Sequence, residues 1–239
     1  MTYFLTSCTV IPGTIQMNPA NGFITELRKR LPDRPLRGLF IASAPDDIEK
    51  TEKFGGFEKI TFEDAGFCFA EYRLLDRRNA DRAAELLAEA DLVILAGGHV
   101  PTQNRFFTEI HLRERIKGYP GVVVGISAGS MNAAATVYAI PEAEGEAIAA
   151  EYKKFIPGLG ITGAMLLPHY NMIKDDVLDG MRLFEDIAYP DSMGHRFYVL
   201  YDGSYFYGHD GVEELRGKAY CLQDGVLQPI CADDQAFFL

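Results

Sequence analysis

Four short stretches hold side chains whose types and placing could carry out chemistry: "GISAGS" with Ser127, "LLPHYN" with His169, "LYDGSY" with Asp202, and "LAGGHV" with Gly97, Gly98 and His99. Ser127 follows the apolar run "GVVV" and has a glycine two residues away on either side, the G-x-S-x-G pattern. A serine there can be lifted out of a strand-to-helix corner as a nucleophile, because only glycine at the flanks leaves room for so tight a turn. The helix behind it would aim the Ala128 N–H at a developing oxyanion. The alternative is a structural turn that happens to hold a serine.

A serine nucleophile needs a base. Five histidines are present: His99, His111, His169, His195 and His209. His169 stands where an apolar run ends at a proline, a strand-end position suited to a base. The alternative is a loop histidine that only hydrogen-bonds locally. His111 reads as the exposed face of a polar helix, and His195 and His209 as turn residues. Asp202, again just past an apolar run, is the candidate that would fix the base's tautomer and stabilise the imidazolium, although D-G is also a common turn dipeptide. The two glycines ending "LVILAGG" allow close backbone approach, so the Gly98 N–H is a candidate second oxyanion donor. His99 would touch substrate or cap the following helix.

These groups need a frame that brings strand ends together. Strand-like runs at 3–7, 37–44, 91–98 and 122–126 alternate with helical patterns at 22–31, from 45, at 80–90 and through 103–117. Continuous apolar strands alternating with helices predict an α/β fold with a mostly parallel sheet covered on both faces. After about residue 195 the texture changes to short strands joined by D-G turns, which predicts an antiparallel extension at a sheet edge. With no repeat, low-complexity segment or linker, residues 1–239 are expected to form a single domain.

Composition narrows the function. Of 239 residues, 48% are hydrophobic and 24% charged, as in ordinary globular proteins. A net charge of −11 argues against nucleic acid or an anionic membrane as the main partner. Four cysteines (Cys8, Cys68, Cys221, Cys231) without a C-x-x-C, and no signal-like or membrane-spanning segment, predict a cytoplasmic protein with reduced thiols. No H-E-x-x-H or clustered ligand set calls for a metal, and no cofactor is expected.

The order "LAGGH", "GISAGSMNAA", "LLPHYN", "LYDGSY" resembles the peptidase E family, the α-aspartyl dipeptidases, over roughly residues 91–208. The resemblance implies an α/β sandwich of the class I glutamine amidotransferase-like type. It further implies Ser127 as nucleophile, His169 as base and Asp202 where family members carry a glutamate. Glu142 lies in a region where the family has an acid and is the reserve candidate. In the family, a basic side chain after the base is thought to grip an N-terminal aspartate; Lys174 and Arg182 lie in that region here, with helix-surface charges as the alternative. Gly97-Gly98-His99 replaces the family's usual G-G-N.

The leading expectation is therefore a serine peptidase acting on short peptides. Two other readings remain open. An α/β-hydrolase-type esterase, with His209 and Asp202 or Asp191, would share the serine motif but runs Ser, acid, His along the chain. A non-catalytic small-molecule- or peptide-binding homologue would keep the cavity without turnover. The C-terminal edge strands could pair in a homodimer, though nothing in the sequence demands it.

Overall fold

The computed structural model describes residues 1–239. In chain order, β1 (Thr2–Thr6), α1 (Phe23–Arg30), β2 (Leu36–Ile41), α2 (Ile48–Asp64), β3 (Phe69–Leu75), α3 (Ala83–Glu89), β4 (Leu92–Leu95), α4 (Val100–Glu109), α5 (Leu112–Arg115), β5 (Val122–Ile126) and α6 (Ala128–Asn132) build the first part. β6 (Thr136–Tyr138), β7 (Phe155–Pro157), β8 (Met165–Leu167), α7 (Tyr170–Ile173), β9 (Val177–Leu178) and β10 (Met181–Arg182) follow. A π-helical stretch, Leu183–Ala188, runs into α8 (Tyr189–Asp191). The chain ends in β11 (Arg196–Leu200), β12 (Tyr205–His209), β13 (Val212–Arg216), β14 (Ala219–Gln223), β15 (Val226–Cys231) and β16 (Ala236–Phe238).

The central sheet has eight strands in the order β16-β13-β12-β1-β5-β4-β2-β3. The five from β1 to β3 are parallel, and β12, β13 and β16 extend the β1 edge antiparallel. The apolar runs of the parallel strands follow from burial on both faces. Leu39 and Ile41 of β2 pack toward Phe106 and Leu86 on the α3–α4 side. Phe40 between them packs toward Phe23, Leu27 and Phe62 on the α1–α2 side.

Three features depart from the sequence reading. The helix expected through 103–117 is two helices, because His111 takes a left-handed conformation (φ 52°) and starts α5 rather than decorating a continuous helix face. Strand β3 was not foreseen: it is an edge strand, only partly buried, and carries polar Glu71 and Arg73, so its apolar signal is weak. The C-terminal strands do not all extend one edge. β11, β14 and β15 join β8 in a separate four-stranded sheet, with β8 and β11 parallel and Leu167 opposite Val199. Apolar side chains of this second sheet, among them Leu167, Phe197 and Val199, pack with Val100 and Met131 beside the central sheet. No helix is long and apolar enough to cross a membrane.

Candidate active site

The site begins with the corner between β5 and α6. Ser127 sits there at φ 49°, ψ −111°, a conformation L-residues rarely adopt. The strain is held by its neighbours. Its own N–H donates to the Thr6 carbonyl of β1 at 2.9 Å, and the Ser130 hydroxyl donates to the same carbonyl at 2.8 Å. Each flanking glycine has a steric reason. A Cβ on Gly125 would come within 2.9 Å of the Ser130 amide, and one on Gly129 would overlap the Leu95 carbonyl of β4, lying 2.7 Å from its carbon. α6 can therefore fold back onto β4 and β5 only with glycine at both places.

The loop after β4 lies against this corner: a Cβ on Gly97 would stand 3.4 Å from that of Ser127. Gly98 has φ 147°, and a Cβ there would press into Ser43, 2.8 Å from its Cβ. Ser43 in turn donates to the Gly97 carbonyl at 2.6 Å, fixing the loop. The Gly98 N–H makes no hydrogen bond within the chain. The Ala128 N–H opens α6, where a helix offers its amide no intrahelical acceptor. A buried polar set not foreseen from the sequence locks the two segments to each other. Asn132 of α6 donates to the Val100 carbonyl at 3.1 Å and to the Gln103 side chain at 3.0 Å. Gln103 donates to the Ala96 carbonyl at 2.7 Å. The only sequence signal was an asparagine amid the small residues of "SMNAA".

His169 and Asp202 come from the second sheet. β8 and β11 run parallel in register, so the residues just beyond Leu167 and Val199 emerge side by side. His169, at φ 62°, begins α7, and its N–H donates to Ser7 Oγ at 3.1 Å. Its Nδ1 is 2.8 Å from Asp202 Oδ1. Asn171 closes the pair, donating from Nδ2 to Asp202 Oδ2 at 3.1 Å and accepting the Asp202 N–H at 2.8 Å. The Asp202 side chain is 6% exposed. Burial works against its charge, but hydrogen bonds from His169 and Asn171 and the attraction to His169 hold its carboxyl below the usual value. One methylene fewer than glutamate is therefore no obstacle to reaching His169.

Ser127 and His169 line one cavity of about 330 Å³. The Ser127 hydroxyl makes no hydrogen bond within the chain, so it is free to turn into the cavity. Met131, Ile140, Leu167, Ile173, Leu178 and Leu183 give the cavity apolar walls; its carboxylates are Glu142 and Asp176. Glu142, the reserve acid, does not contact His169, and it is Asp202 that does. Glu142 is exposed to the cavity yet crowded on its other sides; desolvation, then the Glu146 carboxylate, push its carboxyl upward. Water in the open cavity limits that shift.

The remaining candidates lie away from the cavity. His99 caps α4, with Nδ1 2.7 Å from Thr102 Oγ1 and Nε2 2.8 Å from Glu146 Oε1. Glu146 also accepts the N–H groups of Glu142 and Ala143, so His99 anchors the loop that carries Glu142. Lys174 pairs with Asp175, and Arg182 is held by Asp186 at 2.8 and 3.0 Å; both are outward-facing. His209 contacts Arg30, Asp210 and Glu214, and Asp191 contacts Tyr138 and Lys154, so neither belongs to this site. No group of three or more His, Cys, Asp or Glu side chains is arranged to hold a metal ion.

No protein-family model matches the chain, and no curated protein matches it. Solved structures do. A peptidase from an acI-B1 Actinobacterium superposes with a TM-score of 0.66 at 16% identity, over 100% of this chain and 96% of the other. A putative peptidase E protein from Listeria monocytogenes EGD-e superposes with a TM-score of 0.62, also at 16% identity, over 89% of this chain and 96% of the other. At such identities the likeness is one of fold, and by fold the chain has a peptidase E-like α/β architecture.

Proposed function

We propose that the protein is a serine-type peptidase that hydrolyses short peptides. The observation that carries this reading is the His169–Asp202 hydrogen bond at the cavity that Ser127 enters from its strained corner. In this reaction Ser127 Oγ attacks the scissile carbonyl as His169 Nε2 takes its proton, while Asp202 keeps Nδ1 protonated and the ring oriented. The Gly98 and Ala128 amides receive the oxyanion, each contributing about 10²- to 10³-fold in rate. His169 then protonates the leaving amine, and water, activated by the same histidine, hydrolyses the acyl-enzyme. A cavity of about 330 Å³ has room for a dipeptide-sized substrate.

The test is hydrolysis of a dipeptide and aminoacyl-amide panel by the purified protein beside Ser127→Ala and His169→Ala. Each substitution is expected to lower kcat by about 10⁴-fold or more. Activity that survives Ser127→Ala contradicts the assignment. A second reading, a binding protein without turnover, is favoured by one observation: the Ser127–His169 hydrogen bond is not closed. Such contacts commonly tighten only when substrate binds. Saturable peptide binding without hydrolysis across the panel would decide for the second reading.

A further inference from the structure

The charge of the cavity bears on what enters it. Its wall carries two carboxylates from different segments, Glu142 on the loop after β6 and Asp176 after α7, and neither lysine nor arginine. Neither side chain has an ion pair or hydrogen bond within the chain. The two basic residues of the segment are already neutralised outside, Lys174 by Asp175 and Arg182 by Asp186. His169 is committed to Asp202. The β9–β10 hairpin closes the cavity with Val177 and Leu178 rather than with a cation.

We propose that this cavity selects a positively charged group on the residue before the scissile bond: Glu142 and Asp176 receive an ammonium group while the apolar walls take aliphatic carbon, and an aspartate at that residue is disfavoured. This rests on the peptidase reading of the same site. The physical reason is charge complementarity: an unpaired carboxylate facing the cavity attracts a cation and repels a second anion. Desolvation, then the neighbouring Glu146 carboxylate, push the Glu142 carboxyl upward, and a bound ammonium would oppose both by favouring the charged form. His99, through Glu146, holds the Glu142 backbone in place, which gives position 99 an indirect part in selection.

The ammonium has two sources, a free α-amine or a basic side chain, and the substrates separate them. Leu-Ala, N-acetyl-Leu-Ala, N-acetyl-Lys-Ala and Asp-Ala are compared with wild type, Glu142→Gln and Asp176→Asn. Leu-Ala is expected to exceed Asp-Ala and N-acetyl-Leu-Ala by about 100-fold in kcat/KM, and each variant to raise KM for Leu-Ala about tenfold. Retained turnover of N-acetyl-Lys-Ala assigns the carboxylates to a side-chain cation; its loss assigns them to the α-amine. Ser127-dependent hydrolysis that prefers Asp-Ala, or ignores N-acetylation and a cationic side chain alike, overturns the inference while sparing the peptidase. Equilibrium binding of the same four peptides to Ser127→Ala protein is measured alongside. Tighter binding of Leu-Ala or N-acetyl-Lys-Ala than of N-acetyl-Leu-Ala and Asp-Ala upholds the charge selection even without turnover, and the reverse order or no difference overturns it.

Discussion

Asp202 shows how much a single side chain depends on its partners. It stands one residue before a glycine in a turn, so the sequence alone permits an ordinary D-G turn. Its carboxylate instead takes His169 on one oxygen and Asn171 on the other. Asp202→Asn leaves the shape intact but presents an amide to Nδ1, favouring the wrong tautomer; kcat is expected to fall by about 10³- to 10⁴-fold with KM little changed. Asn171→Ala should cost far less, about tenfold, since it removes only the brace. Gly98→Ala is a different experiment. At φ 147° and against Ser43, a methyl group forces the loop to move, so a loss of about 100-fold in kcat is expected together with a lower melting temperature. Of these residues, Ser127, His169 and the Gly97–Gly98 loop were legible from the sequence because each ends an apolar run. Asn132, Gln103 and Ser43 were not, because nothing local marks a polar residue as the one that will be buried against a distant carbonyl.

At the scale of elements, the corner works because α6 is allowed to touch β4. Gly129→Ala would push the helix off the Leu95 carbonyl, a backbone obstacle that cannot rotate away, and about 2–4 kcal/mol of stability should be lost in denaturant unfolding. α2 carries a separate liability. Glu58 is buried on its inner face, accepting from Thr9 Oγ1 at 3.1 and 3.0 Å. Burial raises its carboxyl from 4.5 to about 7 despite that bond. The folded state then holds this proton more tightly than the unfolded chain, so stability falls as pH rises from about 4.5 to about 7 and stays lower above. The loss is at most about 3 kcal/mol from this shift. Glu58→Gln keeps an acceptor for Thr9 and should raise stability at pH 8 but not at pH 4. Unfolding curves at the two pH values check it; equal effects at both would contradict it. The helices and inner strands were readable from periodicity, whereas the break at His111 was hidden inside a pattern that suits a continuous helix.

Across the whole molecule, the site is a joint between two sheets. Ser127 and the Gly97–Gly98 loop follow strands of the central sheet, while His169 and Asp202 follow neighbouring strands of the second. The turn after Asp202 passes the chain straight back to the central sheet, where Tyr205 of β12 pairs with Thr6 of β1. D-G turns announced hairpins in the sequence, but which hairpin joins which sheet is decided by long-range pairing, so one edge extension was expected where the C-terminal strands divide between two sheets. The net charge of −11 has a consequence at this scale. Over the molecule it attracts cations and repels anions, with a reach of about 10 Å at 0.1 M salt. At neutral pH Leu-Ala is a net-neutral zwitterion and N-acetyl-Leu-Ala a net anion, so raising ionic strength should raise kcat/KM for N-acetyl-Leu-Ala several-fold by screening its repulsion and change Leu-Ala much less; equal salt responses would contradict the charge selection.

The proposed peptidase chemistry requires Ser127 to be an activated nucleophile served by His169. Treating the protein with a fluorophosphonate and locating the adduct by mass spectrometry tests it most directly. One adduct is expected, on Ser127, absent in Ser127→Ala and slowed about 100-fold or more in His169→Ala. No adduct, or one that forms equally well on another residue when Ser127 is gone, would contradict it.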